Sequence, residues 1–363
     1  MSKTLTVELG DRSYPIHIGR GLGKNLKCRV SALKEESRPL ALVYDQELGR
    51  VQEPYLEQAF LDIPRLALPS GESTKSLSHW GEVLEFLADI PLDRTGQLFV
   101  AGGGVVGDLG GFVASSFLRG IPFHLIPTTL LSMVDSSVGG KTGINLPAGK
   151  NLVGAFYQPA SVTIDVDLLS TLAPREFTAG MAEVIKYGLL GSRALFEKLE
   201  AESVLHPGHS ALEEIIQECC RQKADIVQAD ECETASSGGR ALLNLGHTFA
   251  HAVEAVDGYG KTLHGEAVGL GLILAARLSE GLGWLPAEDV VRTHQLVVRY
   301  GLPDRLREPL PVEQLMSAMK RDKKAKFGKL RFVALRELGL AETTDDVSEK
   351  TIRDLWAGVG AKD

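Results

Sequence analysis

The chain has 363 residues, of which 44% are hydrophobic and 24% charged, with 47 acidic and 39 basic side chains. This is the composition of an ordinary globular protein, so it excludes a disordered, collagen-like or coiled-coil chain. The formal net charge of -8 argues against a protein that grips nucleic acid by its backbone, but it is compatible with a local cationic pocket for a small anion.

The sequence favours a protein of a reducing compartment. Its start has no charged-then-apolar signal pattern, and the most apolar helical stretch, at 267–278, is too short to span a bilayer. The cysteines lack CxxC spacing, which disfavours a disulfide framework or a cysteine metal site. They are Cys28, Cys219, Cys220 and Cys232. We therefore expect a cytoplasmic protein without membrane or nucleic-acid partners.

In the first half of the chain, β-rich runs alternate with amphipathic helical patterns. The predicted strands lie at 4–9, 14–18, 39–44, 66–69, 97–101, 123–127 and 161–164. Helical patterns lie between them, for example at 53–61 and 76–88. The polar residues 10–13 predict a hairpin between the first two strands. The alternation predicts a mainly parallel sheet that is covered on both faces.

After about residue 172 almost every segment has helical periodicity. The predicted helices lie at 175–190, 192–201, 211–229, 240–256, 265–280, 287–300 and 312–321, and one strand is predicted at 330–335. We therefore expect an α/β domain over residues 1–172 and a mostly α-helical domain over residues 173–363. The seam between two domains is a common place for a ligand site.

A glycine run, Gly102-Gly103-Gly104-Val105-Val106-Gly107-Asp108, follows an uncharged predicted strand and precedes a helical pattern. It satisfies G-x-G-x-x-G, and a helix amino terminus offers free N–H groups to a phosphate. A tight turn without a ligand explains the same residues equally well. The acidic residue of a Rossmann fingerprint, about 20 positions further on, is absent. A dinucleotide bound here would therefore not bind in the ordinary Rossmann manner.

A second glycine-rich segment, at 135–143 and 149–151, carries Lys141 and Lys150. Ammonium groups on a flexible backbone suit phosphate or carboxylate binding. Apolar residues flank the segment on both sides, which favours an anion site over a solvated loop. The segment is not a P-loop, because Asp135 stands where the first glycine of that motif would be.

A group of histidines is the strongest candidate for chemistry. His247 and His251 are four residues apart, and on one helix they would share a face with Asn244; His264 follows in the same apolar region. Two imidazoles and one carboxylate suit a catalytic Zn²⁺ that keeps an open position. The pattern does not select two of the three histidines. Nor does it select among the candidate carboxylates, which are Glu183, Glu254 and Glu266.

Taken together, these segments resemble the dehydroquinate synthase family of sugar phosphate cyclases. The resemblance runs from about Pro69 to Leu335, most of the chain. It is carried by long matches: GGGVVGDLGGFVAS, PTTLLSMVDSSVGGKTGINLPAGKNLVGAFYQP, AGMAEVIKYG, LNLGHTFAHAVE and LHGEAVGLG. It implies an NAD-binding α/β domain followed by a helical domain, which agrees with the independent pattern of elements.

The resemblance implies roles for individual residues. The metal, Zn²⁺ or alternatively Co²⁺, would be held by Glu183, His247 and His264. NAD would contact Asp45, Ser70, Gly71, Glu72, Ser73, Thr74, Lys75, Gly104, Val105, Val106, Gly107, Asp108, Thr128, Thr129, Lys141, Lys150, Leu168, Leu169, Ser170 and Thr171. Substrate contacts and catalysis would come from Asp135, Lys141, Asn151, Lys186, Lys223, Arg240, Asn244 and His251, the last near the substrate phosphate. Arg119 would reach the site of the second subunit of a homodimer, and Lys323 or Lys324 would add charge.

The activity implied by the resemblance is the conversion of DAHP, a seven-carbon keto acid phosphate, to 3-dehydroquinate and phosphate. This shikimate-pathway reaction proceeds through transient oxidation by NAD, phosphate elimination, reduction and intramolecular aldol closure. The sequence departs from the family pattern between Asp230 and Arg240, where the loop is about three residues longer. That loop puts the placement of Arg240 in question but leaves the metal residues unaffected.

Three other functions compete with this interpretation. A metal-dependent NAD polyol dehydrogenase would release NADH, and a different sugar phosphate cyclase would prefer another substrate. A non-catalytic binding protein that keeps the fold would need no metal. The Lys141, Lys150 and Arg240 cations favour a phosphorylated, acidic substrate over a polyol.

Overall fold

The computed structural model describes residues 3–235, 238–258, 260–322 and 330–363, and its contacts divide the chain into two compact units. The first unit holds the residues up to Ala173 together with Pro207–Gln228. The second holds Pro174–His206 and the residues from Ala229 onwards. The chain thus returns once to the first unit, through a segment that the sequence analysis placed in the second domain.

The first unit is built on a mainly parallel β-sheet, as the alternation predicted. Its strands are β1 (Lys3–Val7), β2 (Tyr14–Gly19), β3 (Leu40–Asp45), β4 (Arg65–Leu68), β5 (Gln97–Gly102), β6 (Phe123–Pro127), β7 (Lys141–Leu146), β8 (Gly149–Phe156) and β9 (Ser161–Asp165). Seven of these form one sheet in the described residues, in the order β1-β2-β9-β6-β5-β3-β4. β1 runs antiparallel to β2, and the other neighbours are parallel.

Helices cover this sheet and build most of the second unit. In chain order they are α1 (Gly23–Glu35), α2 (Gln46–Phe60), α3 (Leu77–Asp89), α4 (Gly104–Ser116), α5 (Pro174–Gly191), α6 (Arg193–Ala201), α7 (Leu212–Ala229), α8 (His247–Asp257), α9 (His264–Gly281), α10 (Ala287–Arg299), α11 (Val312–Asp322) and α12 (Glu349–Ala357). Every residue of β5 is buried, which is why its sequence is an uninterrupted uncharged run.

The second unit is organised around α9, which is buried from Gly265 to Ala276. A helix that is apolar on all sides must be surrounded, and α5, α8 and α10 pack against it. A hairpin of β10 (Phe332–Glu337) and β11 (Leu340–Thr344) adds the strand content of this unit. No helix in the described part of the chain reaches the length and hydropathy that a bilayer crossing requires.

The structure corrects several expectations. The glycine-rich segment around Lys141 and Lys150 is an antiparallel ribbon, β7 with β8, rather than a flexible loop. Residues 240–256 do not form one helix, because the chain turns at Gly246, whose φ is 79°. The patterns also missed α1, α12 and β11. In α1 the buried residues are Gly23, Leu26 and Val30 only, so its apolar face is too narrow to give a clear helical period.

Candidate nucleotide site and metal centre

The first candidate site lies where the order of the parallel strands reverses. From β3 the chain passes to β4 on one side of β3 and then to β5 on the other. The carboxyl ends of β3 and β5 meet closely at this point, since a Cβ on Gly102 would lie 3.2 Å from the Cβ of Asp45. In doubly wound sheets the crevice at such a switch point is the usual place for a ligand.

Glycines open this crevice at the start of α4. The helix begins at Gly104, and its N-cap, Gly103, makes no side-chain cap hydrogen bond. A Cβ on Gly104 would lie 2.9 Å from the Oγ of Ser136, so a larger residue here would displace that side chain. The first N–H groups of the helix can therefore be reached by an anionic ligand.

A pocket adjoins the same turn and is lined by residues that include Gly103, Gly107, Asp108 and Lys141. Lys75, which is 5% exposed, pairs with the carboxylate of Asp108. Burial raises the pKa of Asp108, and the Lys75 ammonium group opposes that rise. The open helix terminus, the glycine cradle and the buried cation are compatible with the pyrophosphate of a dinucleotide.

The residues that the family resemblance assigned to NAD lie in the first unit, mostly after the carboxyl ends of parallel strands. The segments follow β3, β4, β5, β6 and β9 in turn and are Asp45, Ser70–Lys75, Gly104–Asp108, Thr128–Thr129 and Leu168–Thr171. Parallel strands end at the same edge of a sheet, so this arrangement brings the segments together. Leu168 and Leu169 are buried apolar side chains, which makes them part of the core around the site.

Two predicted substrate residues also meet in the first unit. Asp135 lies in a π-helical turn, Ser132–Ser136, a distortion that is frequent at functional sites. The ammonium group of Lys223, on α7, lies 3.0 Å from Asp135 Oδ1 and donates to the Asp135 carbonyl at 2.6 Å. Lys223 is only 6% exposed, so the pair holds a buried cation in place.

The second candidate site is a metal centre in the second unit, and close helix packing builds it. Glu183 lies within α5, while His247 and His264 are the first residues of α8 and α9. A Cβ on Gly265 would lie 1.8 Å from the carbonyl oxygen of Ala179 in α5. The backbones of α9 and of the residue before α8 are equally close, because a Cβ on Gly271 would lie 2.2 Å from the Gly246 carbonyl oxygen.

The donor atoms of the three side chains fit one cation. The Nε2 atoms of His247 and His264 each lie 3.5 Å from Oε1 of Glu183, and one ligand atom from each residue falls within 4.8 Å of the others. A tetrahedral Zn²⁺ with ligand distances of about 2.0–2.1 Å separates its ligands by roughly 3.3–3.4 Å. The spacing of the three side chains is therefore compatible with one such ion.

The neighbours of the two histidines direct their Nε2 atoms to this point. His247 Nδ1 lies 3.1 Å from the Leu245 carbonyl oxygen, and His264 Nδ1 lies 3.5 Å from Oε2 of Glu254. An acceptor at Nδ1 favours the tautomer with the proton there, which leaves the Nε2 lone pair for a metal. Glu254 therefore faces Nδ1 of His264, whereas Glu183 faces Nε2 of the same ring.

The third candidate carboxylate has a different set of partners. Glu266 accepts hydrogen bonds from the Arg175 guanidinium at 2.8 Å, from Arg307 at 2.6 Å and from the backbone N–H of Leu263 at 2.9 Å. Its oxygens are engaged in a structural cluster. Glu183 is thus the carboxylate that the structure groups with two imidazoles.

Electrostatics at the centre reflect its burial. Burial lowers the pKa of His247 to about 3, although the Glu183 carboxylate acts in the opposite direction. Burial also lowers the pKa of His264, but hydrogen bonds to Glu183 and Glu254 outweigh it and raise that pKa to about 10. Lys186 lies 2.5 Å from Oε2 of Glu183, and both side chains are 1% exposed. Glu183 therefore faces two cationic groups, the Lys186 ammonium and the His264 imidazolium.

Two further predicted substrate residues of the second unit, His251 and Asn244, lie on different elements. The His251 ring lies 5.6 Å from the His247 ring, one turn along α8. Asn244 does not share that helix, because it ends the 3₁₀ segment Gly239–Asn244, so the expected common face is wrong. Lys323 and Lys324 lie outside the described residues.

Arg240 keeps a defined place despite the longer loop before it. Its backbone N–H donates to Oδ2 of Asp230 at 3.0 Å, and its guanidinium donates to the Glu231 carbonyl. The other oxygen of Asp230 accepts from the N–H groups of Thr234 and Ala235. Asp230 thus closes the loop, and Arg240 is 1% exposed.

The fold and these candidate sites define a class of protein: a switch-point α/β unit suited to a dinucleotide, in one chain with a helical unit in which one carboxylate and two imidazoles could hold a metal ion. The chain belongs to the 3-dehydroquinate synthase family. Family models described as 3-dehydroquinate synthase N-terminal and C-terminal match residues 65–179 and 180–325. A relative from Opitutus terrae, a 3-dehydroquinate synthase, is 54% identical over 363 residues, which cover 99% of this chain and 100% of the relative.

Solved structures share the fold. A 2-epi-5-epi-valiolone synthase from Streptomyces hygroscopicus subsp. jinggangensis 5008, with NAD⁺ and Zn²⁺ bound, superposes with a TM-score of 0.87 at 25% identity and covers 97% of this chain and 98% of its own. A 2-deoxy-scyllo-inosose synthase, in complex with carbaglucose-6-phosphate, NAD⁺ and Co²⁺, gives a TM-score of 0.85 at 24% identity over 98% of this chain and 100% of its own. The predicted fold class is confirmed by these similarities.

Proposed function

We propose that the chain is an NAD- and metal-dependent lyase that converts DAHP to 3-dehydroquinate and phosphate in the shikimate pathway of aromatic amino acid biosynthesis. One observation carries this proposal: in a chain 54% identical to a 3-dehydroquinate synthase, one potential ligand atom from each of Glu183, His247 and His264 lies within 4.8 Å of the others, which supports their assignment as donors for one cation. The combination favours a working enzyme over a binding protein that has kept only the fold.

When bound, Zn²⁺ or Co²⁺ would supply Lewis acidity and NAD⁺ would supply reversible hydride transfer, two kinds of reactivity that side chains lack. Glu183, His247 and His264 would hold the metal. The amino terminus of α4 would hold the pyrophosphate, with Lys150 as a further cation.

Buried cations would hold the substrate. Lys186, Lys223 and Arg240 are between 1% and 6% exposed, and buried charges are costly unless anions accompany them. Their protein partners include Glu183 for Lys186 and Asp135 for Lys223. We assign the phosphate and the carboxylate of the substrate as further partners, together with Lys141. Fixed cations would then stabilise the negative charge of the phosphate as it leaves. They would also explain how a protein with a net negative charge binds an anion.

The remaining predicted residues would complete the substrate site. His251, one turn after a metal ligand, would hydrogen-bond the phosphate, while Asn151 and Asn244 would bind substrate hydroxyls. Each of these roles is an assignment by resemblance, and each can be tested by the effect of an alanine substitution on KM for DAHP.

We also propose a homodimer in which Arg119 reaches the partner subunit's site. Leu118, Arg119 and Gly120 have consecutive φ values of 50°, 69° and 121°. Left-handed backbone is costly for residues other than glycine and persists where the surroundings require it. Leu118 is also 38% exposed, and Phe156 in β8 is 46% exposed. In the proposed dimer a second copy would cover these two apolar side chains.

A cytoplasmic location completes the proposal. None of the four cysteines, all within the described ranges, takes part in a disulfide. This is the state expected in a reducing compartment. Thiol titration of the freshly purified protein under denaturing conditions would test it, with four reactive thiols as the expected result.

The deciding experiment is incubation of the purified protein with DAHP, Zn²⁺ and NAD⁺ at a concentration below that of the substrate. Phosphate release that exceeds the NAD⁺ supplied, without accumulation of NADH, is expected. Accumulation of NADH with glycerol and no phosphate from DAHP would instead favour a polyol dehydrogenase. Phosphate release from another sugar phosphate only would favour a different cyclase. Glu183→Ala is the matched inactive control.

A further inference from the structure

Asn145, near the end of β7, joins its strand to two other segments of the first unit. Its backbone N–H donates to the carbonyl oxygen of Lys75 at 2.8 Å. Its side-chain Nδ2 donates to Oε1 of Glu72 at 2.7 Å, and its Oδ1 accepts the backbone N–H of Asn151 at 2.9 Å. Both ends of one amide are thus used, in addition to the main chain.

The local backbone explains why the Asn145 side chain can reach Glu72 and Asn151. The pairing of β7 with β8 changes register between Ile144 and Leu146, and a bulge of this kind redirects the side chain at the irregular position. Asn151 has a φ of 54°, a left-handed conformation that needs support in the native state. The hydrogen bond from its N–H to Asn145 supplies such support.

The segments that meet at Asn145 are those assigned to the ligands. Ser70–Lys75 and Lys150 are assigned to NAD, and Asn151 is assigned to the substrate. The Lys150 ammonium lies 4.0 Å from the same Glu72 oxygen that accepts from Asn145. One carboxylate oxygen thus faces both an amide donor and a cation from the β7–β8 ribbon.

We propose that Asn145 is a positioning residue that fixes the cofactor-binding loop around Glu72 to the turn that carries Lys150 and Asn151. This inference rests on the proposed function, because it takes its ligands from there. Asn145 itself need touch neither ligand. Only an amide serves here, since the site needs a donor toward Glu72 and an acceptor toward the Asn151 N–H.

The test compares Asn145→Asp with the double variant Asn145→Asp/Glu72→Gln. In the single variant two carboxylate oxygens would face each other at the former hydrogen-bond distance of 2.7 Å. In the double variant the new side-chain amide at position 72 can donate to the new carboxylate at position 145, so the hydrogen bond is restored with its polarity reversed. Asn25→Asp, the same change at an exposed position of α1, is the matched control.

The readouts are the Kd for NAD⁺ by isothermal titration, and KM and kcat for DAHP by phosphate release. The single variant is expected to raise both Kd and KM by about tenfold, the effect of one lost hydrogen bond with an unpaired partner. Its kcat should change much less. Because Glu72 is itself assigned to NAD, the double variant is compared with Glu72→Gln alone, and in that background Asn145→Asp should cost little. A lower kcat with unchanged Kd and KM would overturn the inference, because it indicates general damage. A loss on Asn145→Asp that is as large in the Glu72→Gln background as in the wild type would overturn it as well.

Failure of the inference and failure of the proposed function have different signatures. If the wild type releases phosphate from DAHP and the Asn145 variants bind NAD⁺ normally, the inference is wrong and the function stands. If the wild type releases no phosphate but Asn145→Asp raises the Kd for NAD⁺ much less in the Glu72→Gln background than in the wild type, the positioning of the cofactor loop stands without that function. A wild type that binds no NAD⁺ overturns both.

Discussion

Gly265 and Ala179 are in backbone contact: a Cβ on Gly265 would lie 1.8 Å from the Ala179 carbonyl oxygen. The contact lies one residue from His264 and four residues from Glu183, so it sets the spacing between two of the proposed metal donors, which lie on different helices. The main-chain packing of α5 on α9 and the geometry of the metal centre are therefore one feature.

Gly265→Ala should separate these helices. The added methyl group meets backbone, which cannot rotate away, so we expect a loss of about 3 kcal/mol in stability and weaker Zn²⁺ binding. Gly281→Ala is the control, because it lies in the same helix and a Cβ there meets nothing within 4 Å. Urea unfolding and competition with a fluorescent chelator measure the two effects. Equal Zn²⁺ affinity in both variants would contradict the expected coupling.

Glu254→Ala should weaken metal binding without removing a ligand. Glu254 lies 3.5 Å from Nδ1 of His264, and loss of an acceptor behind a ligating histidine typically costs about 10–100-fold in metal affinity. Glu254→Gln keeps an acceptor oxygen and should lose less. Dissociation constants for Zn²⁺ in the presence of a chelator give the comparison. If the two variants bind Zn²⁺ equally well, Glu254 does not orient His264.

His124 should make stability depend on pH. Its ring lies 2.8 Å from both Ser161 Oγ and Gln97 Oε1, and burial lowers its pKa to about 3. Above pH 6.5 the histidine is neutral in both states, so it adds no pH dependence. Between about pH 6.5 and pH 3 the unfolded chain binds a proton that the folded chain does not. The contribution of His124 to the free energy of unfolding is therefore lost as the pH falls, by about 1.4 kcal/mol per pH unit.

The variant His124→Gln isolates this effect. The difference in unfolding free energy between wild type and variant should be largest at pH 7 and should narrow toward pH 5, as measured by urea unfolding. A gap that stays constant over this range would show that His124 does not titrate between the two states.

Mixing two inactive variants should restore activity if Arg119 acts in the partner's site. Arg119→Ala is expected to lower kcat/KM for DAHP strongly, and Glu183→Ala is expected to lose metal and activity. In a mixed dimer the Arg119→Ala subunit keeps its own Glu183 and receives an intact arginine from its partner, so one site is complete. Co-refolded mixtures should release phosphate while each variant alone does not. A mixture as inactive as its components would place Arg119 in the site of its own chain, or outside any site.

The sequence predicts those elements whose burial is evident from their own residue pattern. β5 can be predicted from the sequence because both of its faces are buried, and the uncharged run from Leu98 to Ala101 is typical of such a covered strand. α5 and α9 can be predicted because they too are largely buried and apolar. The β7–β8 ribbon is not, because Leu152 and Phe156 are exposed and its glycines resemble a loop.

Tertiary contacts decide the rest of the candidate site. The break before α8 depends on Gly246, whose backbone meets Gly271, a residue 25 positions later. The sequence alone left three carboxylates for the metal, since Glu183, Glu254 and Glu266 all lie in helical, largely apolar surroundings. Their partners separate them: two imidazoles for Glu183, the far side of one imidazole for Glu254, and two arginines for Glu266.

The return of Pro207–Gln228 to the first unit means that neither unit is a contiguous stretch of the gene. A fragment truncated after Ala173 would lack α7, and with it the Lys223 ammonium that faces Asp135. The two halves therefore cannot be expressed or exchanged as simple modules, and any chimaera with a related enzyme needs crossover points on both sides of α7.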